Sequence, residues 1–136
     1  MIKLVSTMKR RDGVTRDEFR FYYETTHRLL VKYFAHNIMD YRRSYPRPDL
    51  AEIVGMYSDP NTPEHGRSFD VLTEIWFEDA EALLRTFEIM GDPEIRKIFE
   101  EDEARFLDRA SIHVTICEEE TACEQLGEAT NRLMAS

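Results

Sequence analysis

The stretch from Phe69 to Phe77 constrains the fold more than any other part of the sequence. Its residues, FDVLTEIWF, are apolar at both alternating sets of positions and rich in β-branched and aromatic side chains. A strand that is apolar on both faces is typical of the centre of a sheet that is covered on both sides. We therefore expect a central strand here, in a sheet that leaves neither face fully in water.

Three further strands are predicted around this one. Residues 2–8 and 110–117 alternate apolar and polar side chains and carry β-branched residues. Residues 36–45 precede Pro46 and Pro48, which favours an edge strand because proline cannot donate to a neighbouring strand. Residues 49–67 are dense in glycine and proline and predict a long loop.

Two helical regions lie between the strands. Thr15 precedes Glu18 by three residues, which predicts a capped helix running to about Phe34. Asp79 is expected to cap a second helix, which Gly91-Asp92-Pro93 interrupts before a further helical piece that includes Phe106.

The resulting order, β-α-β, a loop and β-α-β, predicts an α+β ferredoxin-like domain with a four-stranded antiparallel sheet and both helices on one face. The uncovered face would still be partly apolar, so we expect a homodimer in which two sheets pack face to face as a dimeric α/β barrel. The domain spans residues 1–117, including loop 49–67, and residues 118–136 form an acidic C-terminal extension.

Composition excludes several functional classes. The net charge of −9 makes nucleic acid an unlikely partner, since phosphate binding requires a basic surface. No apolar run approaches the ~18 residues of a membrane span, and the N-terminus lacks the pattern of a signal peptide, so a cytoplasmic location is expected. Neither metal-ligand spacing nor a glycine-rich phosphate loop is found, so we predict no metal and no cofactor.

His27 is the main candidate for chemistry. It follows Tyr23 by four residues and Phe19 by eight, so the three side chains are predicted on the helix face that looks toward the sheet. An imidazole there can act as a general acid or base near neutral pH, and a tyrosine hydroxyl can orient a carbonyl or an oxyanion. The alternative is a hydrogen-bonded structural histidine with Tyr23 as core.

Phe19, on the same helix face as His27, is a candidate for substrate binding, and further candidates lie on two strands. Glu74 and Trp76 share one face of their strand, and Glu74 beside His27 would form an acid/base pair; facing solvent, they would be ordinary strand positions. His113 lies in the last strand, where lining of the barrel or the interface is favoured over catalysis. Asp102 is expected to fix the end of the second helical region.

Four fragments together resemble the EthD family of the dimeric α/β-barrel superfamily: residues 2–5 with 9–11, residues 19–27 (FRFYYETTH), residues 74–77 and residues 102–108. The resemblance implies a homodimer, a barrel of two sheets and a site near His27. It also implies a link to catabolic pathways, in some cases as an accessory to oxygenase systems, and hence to oxidoreductase activity. Other members of the superfamily are cyclases, isomerases, decarboxylases, dehydratases and cofactor-free monooxygenases.

Two functional hypotheses follow. In the first, the chain is a cofactor-independent enzyme acting on a small aromatic or polyketide-like compound, with His27 moving a proton and Tyr23 orienting the substrate. In the second, it is a noncatalytic accessory or ligand-binding protein of a catabolic pathway. The sequence alone leaves both open.

Overall fold

The computed structural model describes residues 1–50, 69–120 and Met134 of the 136-residue chain. Within that part, four strands and three α-helices are formed, with short 3₁₀ helices at His27–Tyr33, Ala35–Asn37 and Pro48–Leu50. In chain order the elements are β1 (Ile2–Arg10), α1 (Arg16–Thr25), β2 (Asp40–Ser44), β3 (Val71–Phe77), α2 (Ala80–Met90), α3 (Pro93–Glu103) and β4 (Leu107–Glu118).

The four strands form one antiparallel sheet in the order β2-β3-β1-β4. This order, with helices between β1 and β2 and between β3 and β4, confirms the predicted ferredoxin-like α+β fold. β3 lies inside the sheet and β2 at its edge, as their residue patterns predict.

Hydrogen-bonding side chains fix the helix starts that the sequence predicts. The hydroxyl of Thr15 accepts from the backbone N–H of Glu18 at 3.1 Å, and the carboxylate of Asp79 accepts from Ala82 at 2.8 Å. Asp92 caps α3 in the same way, and Pro93 occupies its first turn, where the missing N–H has no cost. The predicted interruption between α2 and α3 is thereby confirmed.

The prediction of one continuous helix from Thr15 to Phe34 was wrong. α1 ends at Thr25, and the chain continues as a 3₁₀ helix from His27. The hydroxyls of Thr25 and Thr26 donate to the carbonyls of Phe21 and Tyr22, at 2.5 and 2.8 Å, and the backbone of Thr26 leaves the helical region at φ −121°. Two adjacent β-branched residues that bind the preceding turn favour this change of winding.

The second strand is shorter than its sequence pattern indicates. β2 begins at Asp40, whereas His36 lies in the 3₁₀ helix Ala35–Asn37 and is exposed. The residues before Asp40 instead connect the helical layer to the sheet edge. Most of loop 49–67 with His65, and the extension beyond Glu120 except Met134, lie outside the described residues.

Alternation along the strands separates two faces of the sheet. In β3, Val71, Thr73, Ile75 and Phe77 are buried beneath the helices, and the residues between them are only partly buried on the opposite side. We call the first the covered face and the second the open face. Within the described part of the chain, no helix has the length and apolar character needed to cross a membrane.

Candidate functional site

A cavity of about 180 Å³ lies between the covered face of the sheet and the helices. β1, β3 and β4 supply its floor, and α1, the 3₁₀ helix after it, α2 and α3 supply its walls. The floor residues alternate regularly along their strands: Leu4, Ser6 and Met8; Thr73, Ile75 and Phe77; Ile112 and Val114. Most of the lining is therefore apolar, and polar groups enter at a few positions only.

His27 lies in the wall of this cavity and is 8% exposed. Its ring centroid is 4.7 Å from that of Tyr23, 5.8 Å from Phe106 and 6.0 Å from Phe99. The change from α1 to the 3₁₀ helix occurs immediately before this residue and still leaves it next to Tyr23. The imidazole is thus enclosed by aromatic rings, as the sequence pattern predicts.

Asp102 on α3 holds the ring. Its Oδ2 lies 3.0 Å from His27 Nδ1, and its exposure is 5%. Burial acts to raise the pKa of Asp102, and the hydrogen bond and charge of His27 act to lower it, with a net pKa below the usual value. Because an ionised carboxylate only accepts, Nδ1 carries the proton, and the second nitrogen of a neutral ring is then an acceptor.

Among the described residues, Nε2 of His27 forms no hydrogen bond. A ring held at Nδ1 by a carboxylate and unbonded at Nε2 has the arrangement of a general base. The same ring, once protonated at Nε2, can return the proton as an acid.

Hydroxyl groups line the floor beside the imidazole. The Tyr23 hydroxyl and Thr73 Oγ1 share a hydrogen bond of 2.5 Å. Burial, together with the neighbouring Tyr41, raises the pKa of Tyr23 well above its ordinary value, and burial also raises the pKa of Tyr41. Both phenols therefore stay protonated at neutral pH and can hydrogen-bond to an oxygen in the cavity.

A second hollow of about 380 Å³ adjoins the cavity and shares Phe87, Met90, Phe99, Glu103 and Ile112 with it. Its outer rim is charged: Arg109 Nε lies 3.1 Å from Glu103, and Arg109 and Arg96 both contact Glu100. Ion pairs within α3 and between α3 and β4 therefore border the hollow that adjoins the cavity.

Phe19 lies behind the site. It is almost completely buried and packs on Phe106, with centroids 5.4 Å apart, and on Tyr23 at 6.0 Å. It does not line the cavity and instead supports the aromatic wall that does.

Glu74, Trp76 and His113 lie on the open face, so of the two alternatives for Glu74 the structure has the ordinary strand position and not the pair with His27. Glu74 forms an ion pair with Lys3, and Trp76 Nε1 donates to Glu119 at 2.7 Å. His113 is paired with Thr7 in the sheet and is exposed. Neighbouring strand residues point to opposite faces, and Thr73 rather than Glu74 is the one directed at the helices.

A second polar cluster joins α1 to the edge strand. Arg43 Nε and Nη2 donate to the two carboxylate oxygens of Glu24 at 2.8 and 2.7 Å, and the Tyr45 hydroxyl donates to Glu24 at 2.7 Å. The hydrogen bonds from Arg43 lower the pKa of Glu24 to about 2. This bidentate pair occupies Arg43 and anchors β2 to the helix layer.

Sequence reasoning missed Asp102 as the partner of His27 and expected it only to fix the helix end. The signal was its spacing: it follows Phe99 by three residues and precedes Phe106 by four. A carboxylate on the apolar stripe of a helix needs a buried hydrogen-bonding partner, and His27 is that partner.

A model of the EthD domain matches residues 11–110 of the chain. Among curated proteins, none matches the sequence significantly. Within the described residues, no group of three or more His, Cys, Asp or Glu side chains is arranged to hold a metal ion.

Solved structures with the same fold come from bacteria and a plant. An ethyl tert-butyl ether D (EthD) family protein of Bacillus halodurans is 18% identical, with a TM-score of 0.55 over 88% of this chain and 99% of that one. An Arabidopsis thaliana protein is also 18% identical, with a TM-score of 0.55 over 89% and 97%. A Bacteroides fragilis protein of 14% identity, with a TM-score of 0.50 over 87% and 95%, is described as dimeric and ferredoxin-like.

Proposed function

The chain belongs to the EthD domain family, and from this premise we propose that it is a cofactor-independent enzyme acting on a small, oxygen-bearing aromatic or polyketide-like compound. His27 is its acid/base and Tyr23 orients the reacting oxygen. The observation that carries the proposal is the buried His27–Asp102 pair in the wall of a mostly apolar cavity.

The pair supports proton transfer for a physical reason. Asp102 fixes the ring through Nδ1 and stabilises the imidazolium that forms when Nε2 takes a proton. An aromatic enclosure limits competing water, so the charge that develops interacts strongly with its neighbours. A carbon or oxygen acid seated in the cavity would lose its proton to Nε2 and recover one from the same atom.

The cavity size and lining support an aromatic ligand. An apolar cavity of about 150 Å³ is large enough for benzene, so about 180 Å³ suits one substituted ring or a compact bicyclic compound. The ring of Tyr23 lies next to the imidazole, and its hydroxyl, at the floor beside Thr73, can donate to a carbonyl or an oxyanion of the ligand.

We also propose that two chains associate through their open faces as a dimeric α/β barrel. The dimeric description of the Bacteroides fragilis neighbour supports this, as does the partly apolar open face around Val5, Leu72 and Trp76. Val5→Glu, at the centre of that face, should convert a dimer into monomers, whereas Phe21→Glu on the exposed side of α1 should not. Light scattering measures the molar mass of each variant. A dimer that survives Val5→Glu argues for another interface.

The enzyme proposal is tested in two steps. Phenolic, quinone and polyketide-like compounds are first screened by thermal shift, because a ligand of the folded state raises Tm. Each hit is then incubated with the protein in D₂O, and NMR records deuterium uptake at carbon and any product. Proton transfer by His27 predicts exchange or turnover by the wild type and a loss of about 100-fold or more in His27→Gln.

The noncatalytic alternative makes a different prediction. A ligand-binding accessory protein would bind the compound found in the screen, and the mostly apolar cavity of this chain suits the binding of an apolar ligand. It would show neither exchange nor turnover in the wild type or in His27→Gln. Turnover that is unchanged in His27→Gln would contradict both the assignment of the acid/base and the proposed mechanism.

A further inference from the structure

Ser6 carries a buried hydroxyl that has no partner among the described residues. The residue is 2% exposed, and its Oγ forms no hydrogen bond within residues 1–50 and 69–120. Burying a hydroxyl without a partner is unfavourable, because water that would have bonded to it is not replaced. Alanine would fill the same strand position without that penalty.

The surroundings of Ser6 are mostly apolar. Leu4 and Met8, on the same face of β1, are apolar, and its cross-strand neighbour on β4 is Val114. Its neighbour on β3 is Thr73, whose hydroxyl bonds to Tyr23. Ser6 and Thr73 are therefore the polar positions in this part of the floor, and of the two only Ser6 has no hydrogen bond among the described residues.

The other buried hydroxyls of the cavity differ in this respect. Thr86 donates to the carbonyl of Ala82 at 3.0 Å, and Thr73 is paired with Tyr23. Their hydrogen bonds are internal to the fold. The Oγ of Ser6 is covered by its neighbours in the structure, although the residue lines the cavity, and rotation about its one side-chain bond would present the hydroxyl to a ligand.

We propose that Ser6 is a specificity-determining residue that hydrogen-bonds a second oxygen of the ligand, away from the one that faces His27. The ligand class is then an aromatic compound with two separated oxygens, such as a hydroxyaryl ketone or a quinone-like ring. This inference rests on the proposed function, because it takes the cavity beside His27 as the binding site.

The test compares two probes, 4-hydroxyacetophenone and 4-ethylphenol, which differ in the carbonyl oxygen. Calorimetry measures their binding to the wild type and to Ser6→Ala. The affinity of 4-hydroxyacetophenone should fall about fivefold to tenfold in Ser6→Ala, the effect of one lost hydrogen bond. The affinity of 4-ethylphenol should change less than twofold, and the Tm of ligand-free Ser6→Ala should rise by about 2–4 °C.

Ser111→Ala is the matched control. Its hydroxyl lies on β4 outside the cavity lining and is bonded, accepting from Lys9 N at 2.8 Å and donating to the Asp108 carbonyl at 2.5 Å. Its removal should leave both affinities unchanged and should not raise Tm. Unchanged binding of 4-hydroxyacetophenone to Ser6→Ala would overturn the inference alone, whereas a wild type that binds neither probe would overturn the proposed function as well.

Discussion

The two faces of the sheet use the same kinds of residue for different purposes. In the layer of helices that packs on the covered face, Asp102 of α3 is 5% exposed and bonds to His27. On the open face, Glu74 pairs with Lys3, and both side chains remain about one-fifth exposed. The two side chains of each pair lie in contact, but the first pair is the better shielded from water.

The difference shows that environment, rather than residue type, assigns a chemical role here. A buried carboxylate can fix the tautomer of a histidine because few water molecules compete for it. A carboxylate on a wet surface gains little from its partner, since solvent screens the attraction. This is tested by making the same kind of substitution at a buried and at an exposed position and comparing the two effects.

The largest expected effect is on proton transfer. Asp102→Asn removes the charge that stabilises the imidazolium and should slow deuterium exchange or turnover about 100-fold, with a loss of about 1 kcal/mol in unfolding free energy. The matched Glu74→Gln on the open face should leave the rate unchanged and alter stability by less than about 0.5 kcal/mol. Equal losses of rate in the two variants would remove the distinction between the faces.

The next largest effect is on stability, and it compares two threonines on opposite faces of the sheet. Thr73→Val removes the partner of the buried Tyr23 hydroxyl and should lower the unfolding free energy by about 1–2 kcal/mol in urea. Thr115→Val makes the same change at a position of the open face that is exposed in a single chain, and in a monomer it should alter the unfolding free energy by less than about 0.5 kcal/mol. A large loss in Thr115→Val would indicate that a partner chain buries this threonine.

The smallest effect depends on pH. The pKa of Glu24 is about 2 in the folded protein and 4.5 ordinarily, so its contribution to stability is present above pH 4.5 and is lost as pH falls toward 2. Glu24→Gln should therefore lower Tm by about 2–4 °C at pH 7, with the difference from wild type vanishing near pH 2.

An exposed ion pair provides the comparison for Glu24. Asp40 and Arg42 contact each other at the same edge strand, with side chains about half exposed or more. Asp40→Asn should change Tm by about 1 °C or less at pH 7, because solvent screens the pair. A difference for Glu24→Gln that was as large at pH 2 as at pH 7 would show that the carboxylate does not act through its charge.

Much of the fold was predictable because local patterns and global architecture agree. The run around Ile75, apolar on both faces, indicated an inner strand. Thr15, Asp79 and Asp92 each precede a helix, and their side chains accept hydrogen bonds from backbone N–H groups of its first turn. The end of α1 was not predicted, because the helical spacing of apolar residues continues past Thr25, although the backbone changes there from an α-helix to a 3₁₀ helix.

The candidate site was predictable in part. The spacing of Tyr23 and His27 on one face survives the change of helix type, and the structure brings their rings together. Asp102 lies 75 residues from His27 along the chain, so no local pattern could pair them. The unpaired hydroxyl of Ser6 could not be predicted, because the alternation of residues in β1 does not tell which face of the strand is buried.

The sequence by itself determined the order of elements, the inner position of β3 and the placement of His27 among aromatic rings, because periodicity and capping act within a few residues. The tertiary structure alone decided which strand face meets the helices, and with it the choice of Asp102 over Glu74 as the carboxylate beside His27. A strand presents two faces of similar composition here, and only packing against the helices selects which one loses contact with water.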